Sequence, residues 1–105
     1  MHFIETPIFT NVIAKLLGRE EYRSLQIALM LRPEQGPVIQ EGGGLRKIRW
    51  AKKGAGKRGG VRVIYYWYSQ EETIYMLYAY SKADQGDLSR AQLHTLARIV
   101  REELP

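Results

Sequence analysis

Cysteine is absent from the 105 residues of this chain. Its absence excludes a disulfide-stabilised fold, a thiolate zinc site and a cysteine nucleophile. No apolar run approaches the ~18 residues that a membrane helix needs, and the N-terminus shows no basic segment followed by an apolar one, so we expect neither a membrane span nor a secretion signal. Together with a length close to that of a single domain of about 100–150 residues, these absences predict one cytoplasmic domain over residues 1–105.

Metal-binding and acid–base side chains are equally scarce. The only histidines are His2, next to the N-terminus, and His94, in a charged C-terminal segment. Asp and Glu do not cluster at the spacing that metal ligands need. We therefore expect no metal and no other cofactor, and any reaction here has to use Lys, Arg and Tyr.

Positive charge, in contrast, is concentrated in one segment. The chain has 16 Lys and Arg against 11 Asp and Glu. Half of the basic residues lie between positions 46 and 62, where no acidic residue occurs: Arg46, Lys47, Arg49, Lys52, Lys53, Lys57, Arg58 and Arg62. A block this dense is typical of a surface that binds a polyanion, although a solvated loop around residues 54–60 would also explain part of it.

The hydrophobic spacing predicts an α+β fold. Period-two runs predict strands at 2–5, 45–51, 61–68 and 73–80, and apolar stripes of period 3.6 predict helices at 7–17, 20–31 and 88–104. Thr6-Pro7 reads as a helix N-cap, and Ser89 with Gln92 forms a capping-box pattern. Because short loops join the last three strands, we expect them to form an antiparallel meander.

Residues 54–60 (GAGKRGG) resemble a phosphate-binding loop only superficially. The glycines are not followed by Lys-Ser/Thr, and the loop joins two predicted strands instead of opening a helix. We therefore exclude nucleotide hydrolysis. A basic hairpin that follows a nucleic-acid backbone explains the segment better, with Arg46, Lys52, Lys53, Lys57 and Arg58 as RNA-binding candidates.

Three of the basic residues are expected to form a site. Lys47 and Arg49 leave the same face of their strand roughly 7 Å apart, and Arg62 begins the next strand within reach of that face. RNA supplies its own nucleophile, the 2′-hydroxyl, so a protein that orients the strand and stabilises the phosphate with fixed cations can cleave it without a metal. The alternative is that each cation is simply solvated.

Aromatic residues are abundant on the two strands that follow. Most of these tyrosines are expected to fill the core, since alternate side chains of a strand point to opposite faces. Tyr68 and Tyr80 are the candidates for stacking against RNA bases.

The order of elements, together with residues 43–49 (GGLRKIR) and 56–66 (GKRGGVRVIYY), resembles the RelE/HigB/ParE toxin superfamily, most closely its HigB-type branch. The resemblance implies a RelE-like fold and a type II toxin that cleaves mRNA in the ribosomal A site and so inhibits translation. It also implies a cognate HigA-like antitoxin, for which a helix-turn-helix protein is one candidate. The complex of this antitoxin with the toxin is expected to bind operator DNA.

Carried over by position, Lys47 and Arg49 match the paired basic residues of the family, Arg62 matches the arginine that opens the next strand, and Lys82 matches the basic residue after the last strand. RelE itself has an arginine directly after that lysine and a tyrosine soon afterwards, whereas this chain has Ala83 and no tyrosine in 84–88. The resemblance thus leaves the general acid and base unassigned. A ParE-like inhibitor of DNA gyrase and a non-catalytic RNA- or ribosome-binding module remain as alternatives.

Overall fold

The computed structural model describes residues 1–51 and 60–105. The helices and strands there are β1 (His2–Glu5), α1 (Pro7–Leu16), α2 (Arg19–Leu31), β2 (Arg46–Trp50), β3 (Val61–Tyr68), β4 (Thr73–Ser81) and α3 (Arg90–Glu103). Each predicted element is confirmed to within two residues at either end. The predicted basic hairpin, with Lys52, Lys53, Lys57 and Arg58, lies outside the described residues.

The start of α3 shows how the sequence sets a boundary. The helix begins at Arg90 and not at Leu88, because Ser89 is its N-cap. The Ser89 hydroxyl accepts a hydrogen bond from the Gln92 N–H at 3.0 Å, and the Gln92 side chain accepts one from the Ser89 N–H at 3.0 Å. This is the predicted capping box. No helix within the two described segments is long and apolar enough to span a membrane.

The four strands form one sheet in the order β1-β4-β3-β2. Strands β2, β3 and β4 are antiparallel neighbours, which confirms the predicted meander and the α+β class. The pairing of β1 was not predicted: it lies parallel to β4, with His2 opposite Thr73. The helical hairpin of α1 and α2 separates β1 from the meander in sequence, and it supplies the crossover that a parallel pair needs.

Each face of the sheet carries its own hydrophobic core. Helices α1 and α2 pack on one face, where the buried residues include Phe9, Leu25 and Tyr65. Helix α3 packs on the other, against Leu45, Ile64 and their neighbours. Ile48 belongs to the first core, so the alternation along β2 turns Lys47 and Arg49 to the α3 side. This confirms the predicted division of that strand.

A bulge in β4 determines which side chains of that strand lie on the α3 side of the sheet, together with Lys47 and Arg49. Ile64 pairs with Tyr78 whereas Tyr65 pairs with Met76, which leaves Leu77 without a partner residue on β3. The extra residue shifts the alternation by one position. As a result Tyr80 packs in the core on the α3 side, directly opposite Arg62.

The connection from α2 to β2 is held against the sheet by a buried phenol. The Tyr65 hydroxyl accepts a hydrogen bond from the Gly36 N–H at 2.9 Å and donates one to the Pro33 carbonyl oxygen at 2.7 Å. One residue further, the Pro37 carbonyl accepts from the Lys47 N–H at 3.1 Å. These bonds fix the backbone of β2 at Lys47, whose side chain lines a pocket at this end of the sheet.

Candidate phosphate-binding site at one end of the sheet

A pocket of about 310 Å³ opens where β2 and β3 meet the segment that follows β4. The residues around it are Pro37, Lys47, Arg49, Arg62, Lys82, Gly86 and Asp87. The structure thus brings together all four residues predicted to be catalytic, three from the neighbouring strands β2 and β3 and Lys82 from just beyond the end of β4. A pocket of this size that is lined by four cations has the dimensions and the charge for a phosphate group.

Arg62 is the unusual member of this group. Only 6% of the residue is exposed, and its Nη1 has no hydrogen-bond partner among the described residues. A buried charged group without a partner is costly, because burial removes the hydration that stabilises its charge. In native structures such an atom is commonly satisfied by an ordered water or a bound ion. An anion in the pocket would supply the missing acceptor.

The loop after β4 closes the pocket through Lys82. The Lys82 N–H donates to the Gly60 carbonyl at 3.2 Å, which ties the loop to the residue before β3. Its ammonium donates to the Gly86 carbonyl at 2.6 Å, within the same loop. Lys82 itself is exposed, so its ammonium lies at the mouth of the pocket.

Asp87 also lines the pocket, and the sequence analysis did not name it. Its Oδ1 accepts hydrogen bonds from the Lys47 ammonium at 3.2 Å, the Tyr80 hydroxyl at 3.3 Å and the Leu88 N–H at 2.8 Å. These hydrogen bonds hold the pKa of the Asp87 carboxyl below its ordinary value. The bond from the Leu88 N–H has the largest effect, and those from Lys47 and Tyr80 have smaller ones. Asp87 lies 40 positions from Lys47 in the sequence, and no motif there links the two.

Tyr80 has a different place from the one predicted. It is 5% exposed, so its ring is not available to stack on a base, and that prediction is wrong. The hydroxyl instead donates to Asp87 from beneath the pocket. Burial, reinforced by the Asp87 carboxylate and opposed by Arg62, raises the pKa of Tyr80 to about 12. Tyr80 therefore acts as a hydrogen-bond donor at neutral pH.

Two other RNA-binding candidates lie elsewhere. Tyr68 is six residues beyond the buried arginine on β3, roughly 20 Å at ~3.3 Å per residue, and its hydroxyl donates to Gln70. The Arg46 guanidinium donates to the carbonyl oxygens of Glu34 and Gly36, at 2.9 Å each. Neither residue belongs to the pocket, and their contact with RNA stays a prediction.

The described residues include no group of three or more His, Cys, Asp or Glu side chains that could hold a metal ion. His94 is exposed on α3 and does not line the pocket. The described residues around the pocket provide four cationic side chains and one carboxylate.

Comparison with known proteins decides the family. Residues 25–103 match the family described as the RelE toxin of the RelE/RelB toxin–antitoxin system. The chain belongs to the RelE toxin family. This RelE-family protein is also similar in fold to a chain in the crystal structure of the intact E. coli RelBE toxin–antitoxin complex. The TM-score is 0.57 and the identity 13%, over 74% of this chain and 92% of that chain. The predicted superfamily and RelE-like fold are confirmed, and all four cations lie within the matched residues.

Proposed function

We propose that this RelE-family toxin, of the HigB-type branch, is a ribosome-dependent mRNA endonuclease that inhibits translation. The observation that carries the proposal is the buried Arg62, whose Nη1 has no hydrogen-bond partner among the described residues, in a pocket whose other cations are Lys47, Arg49 and Lys82. Such a pocket suits a phosphodiester that gains negative charge during the reaction. Cations that are already in position before the reaction stabilise the transition state, because their side chains do not have to reorganise when the charge develops.

The reaction needs no metal in this proposal. Arg62 and Arg49 bind the two non-bridging oxygens of the scissile phosphate, and the strand is held with its 2′-oxygen in line with the bond to the 5′-oxygen. The 2′-oxygen attacks phosphorus, the bond from phosphorus to the 5′-oxygen breaks, and the products end in a 2′,3′-cyclic phosphate and a 5′-hydroxyl. The Lys82 ammonium, at the pocket mouth, donates the proton that the leaving 5′-oxygen takes up.

The basic residues between positions 52 and 58 contribute binding in this account. Lys52, Lys53, Lys57 and Arg58 contact phosphates of the message or the ribosome, since a dense block of cations releases counterions from a nucleic-acid backbone when it binds. Arg46 begins the same basic block in the sequence, and Tyr68 at the far end of β3 is an additional contact for bases.

A cognate antitoxin is the second proposed partner. The matched family is described as the toxin of a toxin–antitoxin system, and the structure of similar fold is a toxin–antitoxin complex. We propose that an antitoxin, HigA-like if the HigB-type assignment is right, binds this chain and neutralises it. In this scheme operator DNA is bound through the complex and not by the toxin alone.

The test is a cell-free translation reaction with purified protein, in which mRNA ends are mapped by primer extension. We expect cuts in the message at ribosome-occupied codons with the wild-type protein, and none with Arg62→Ala. Arg49→Ala is the second variant, because Arg49 is exposed and its replacement does not threaten folding. Arg98→Ala, which removes an exposed arginine from α3, is the matched control and should cut like the wild type.

Other outcomes would contradict the proposal in distinct ways. Translation that stops while the message stays intact would make the protein a non-catalytic ribosome-binding module. Translation that continues unharmed would favour the gyrase inhibitor, which shares the superfamily but not the reaction. EDTA that abolishes cleavage would contradict the metal-independent chemistry.

A further inference from the structure

The two oxygens of the Asp87 carboxylate have different surroundings. All three hydrogen bonds to this side chain, from Lys47, Tyr80 and Leu88, end on Oδ1. Oδ2 accepts none from the described residues. The side chain is 72% exposed and lies on the wall of the cationic pocket. One oxygen is therefore anchored by three donors, while the other is available to a group that enters the pocket.

From this arrangement we propose that Asp87 is the general base of the cleavage reaction and takes the proton of the RNA 2′-hydroxyl on Oδ2. The inference rests on the proposed nuclease function and adds to it a general base, which the family resemblance leaves unassigned. Among the described residues that line the pocket, Asp87 is the only one with a carboxylate. The other charged side chains there are those of Lys47, Arg49, Arg62 and Lys82, and ammonium and guanidinium groups offer hydrogen-bond donors but no acceptor.

The neighbours of Asp87 keep it ready for this role. Tyr80 retains its own proton, because burial and the adjacent carboxylate raise its pKa to about 12. The pKa of Asp87 lies below its ordinary value through the Leu88 N–H and Lys47, so the carboxylate is ionised at neutral pH. A carboxylate of this kind is a weak base, and its contribution depends on the orientation that the three bonds to Oδ1 impose.

The step balances with groups already in the pocket. The 2′-hydroxyl proton passes to Asp87 Oδ2 while the 2′-oxygen forms its bond to phosphorus. The bond to the 5′-oxygen breaks, and that oxygen takes a proton from the Lys82 ammonium. Asp87 then releases its proton to water, Lys82 regains one from water, and both groups return to their starting state.

The competing explanation is a structural one. Asp87 bonds to the Leu88 N–H just before α3, so it could merely order the loop that carries it. The two explanations differ in what they predict for binding. A structural residue affects binding and cleavage together, whereas a general base affects cleavage alone. Removing a negative charge from a cationic pocket should, if anything, tighten the binding of a phosphate.

The experiment compares Asp87→Asn with Asp84→Asn, which removes an exposed carboxylate from the same loop that does not line the pocket. Single-turnover cleavage of ribosome-bound message is measured first. Binding is then measured with a message that carries one 2′-deoxynucleotide at the mapped cut position. For Asp87→Asn we expect cleavage to fall at least about 100-fold, the lower end of general-base contributions, with binding equal or tighter. Asp84→Asn should match the wild type in both.

The pH profile gives a readout that a structural role does not move. The wild-type rate should be flat around neutral pH, whereas the Asp87→Asn rate should rise with hydroxide concentration. The charged and titratable groups facing this carboxylate are Lys47, Arg49, Arg62, Tyr80 and Lys82, and all of them are unchanged in the variant. Asp87→Glu, which keeps a carboxylate, should recover more activity than Asp87→Asn does.

Three results would overturn the inference. Asp87→Asn could cleave at the wild-type rate, which would leave the base elsewhere. Its cleavage and its binding of the deoxy-substituted message could fall together, which would make Asp87 a structural residue. If the wild-type protein itself does not cleave, the proposed function fails and this inference fails with it, and that result is read without any variant.

Discussion

Arg49 and Arg62 lie directly opposite each other on β2 and β3. Like charges at opposite positions of an antiparallel pair repel each other, and Arg62 is buried as well. A sheet selected for stability alone would not place two guanidinium groups there. The arrangement makes sense if an anion bound between them supplies the missing negative charge, so the pocket is less stable empty than occupied.

Inorganic phosphate should therefore stabilise this protein through the pocket. A ligand at ten times its dissociation constant adds about 1.4 kcal/mol to the free energy of unfolding. We expect phosphate to raise the Tm of the wild type and of Arg98→Ala, measured by thermal unfolding at constant ionic strength. Arg49→Ala loses the same charge from the pocket itself and should lose most of the increase. Equal increases in all three proteins would indicate a general salt effect and contradict the site.

High pH should destabilise the fold through the tyrosine beneath the pocket. The pKa of Tyr80 is raised from 10.0 to about 12 by burial and by Asp87, so the folded state favours the protonated phenol. That contribution to stability is complete below the pKa of the unfolded chain and is lost as the pH rises from about 10 to about 12. Burial likewise raises the pKa values of Tyr22 and Tyr65.

Urea unfolding at a series of pH values measures this loss. The free energy of unfolding of the wild type should fall steeply above about pH 10, and that of Tyr80→Phe should fall less steeply, because one fewer phenol ionises on unfolding. The absorbance of ionised tyrosine reports the same titration independently. Identical slopes for the two proteins would show that the Tyr80 phenol is not perturbed.

Gly36 is predicted to tolerate no side chain. A Cβ at this position would lie 2.8 Å from both the Cε1 and the hydroxyl oxygen of Tyr65, and Tyr65 is held by its own hydrogen bonds to Gly36 and Pro33. We expect Gly36→Ala to destabilise the fold by roughly 1–3 kcal/mol in chemical denaturation, as overpacking of a core does. Gly86→Ala, where a Cβ meets no atom within 4 Å, is the control. Similar midpoints for both variants would contradict the close contact.

The local elements of this fold can be predicted from the sequence, because caps, apolar spacing and turn residues act over a few positions. The antiparallel meander follows for the same reason, since its loops are short. The parallel pairing of β1 with β4 depends on packing between segments about 70 residues apart, and a four-residue strand carries no sign of its partner. The bulge at Leu77 is equally hidden, because one extra residue leaves the hydrophobic composition unchanged.

Contacts between distant segments also limit how much of the pocket could be predicted from the sequence. Lys47, Arg49, Arg62 and Lys82 could be named because charge density and a family pattern mark them. Neither signal reveals that Arg62 is buried, since a basic residue at the start of a strand normally reaches solvent. Tyr80 was misjudged because a run of tyrosines does not show which of the rings the core buries, and both faces of β4 are covered. Asp87 was missed because its contacts to Lys47 and Tyr80 arise only when the loop after β4 folds back over β2.

The most direct test of the central claim concerns the nucleophile. Ribosome-bound message is prepared with a single 2′-deoxynucleotide at the mapped cut position, and its cleavage by the wild-type protein is compared with that of the all-ribose message. The account predicts that the all-ribose message is cut to a 2′,3′-cyclic phosphate and a 5′-hydroxyl, and that the substituted message is bound but not cut. Cleavage of the substituted message, or products with a 5′-phosphate, would show that the cationic pocket does not act through the 2′-hydroxyl of the RNA.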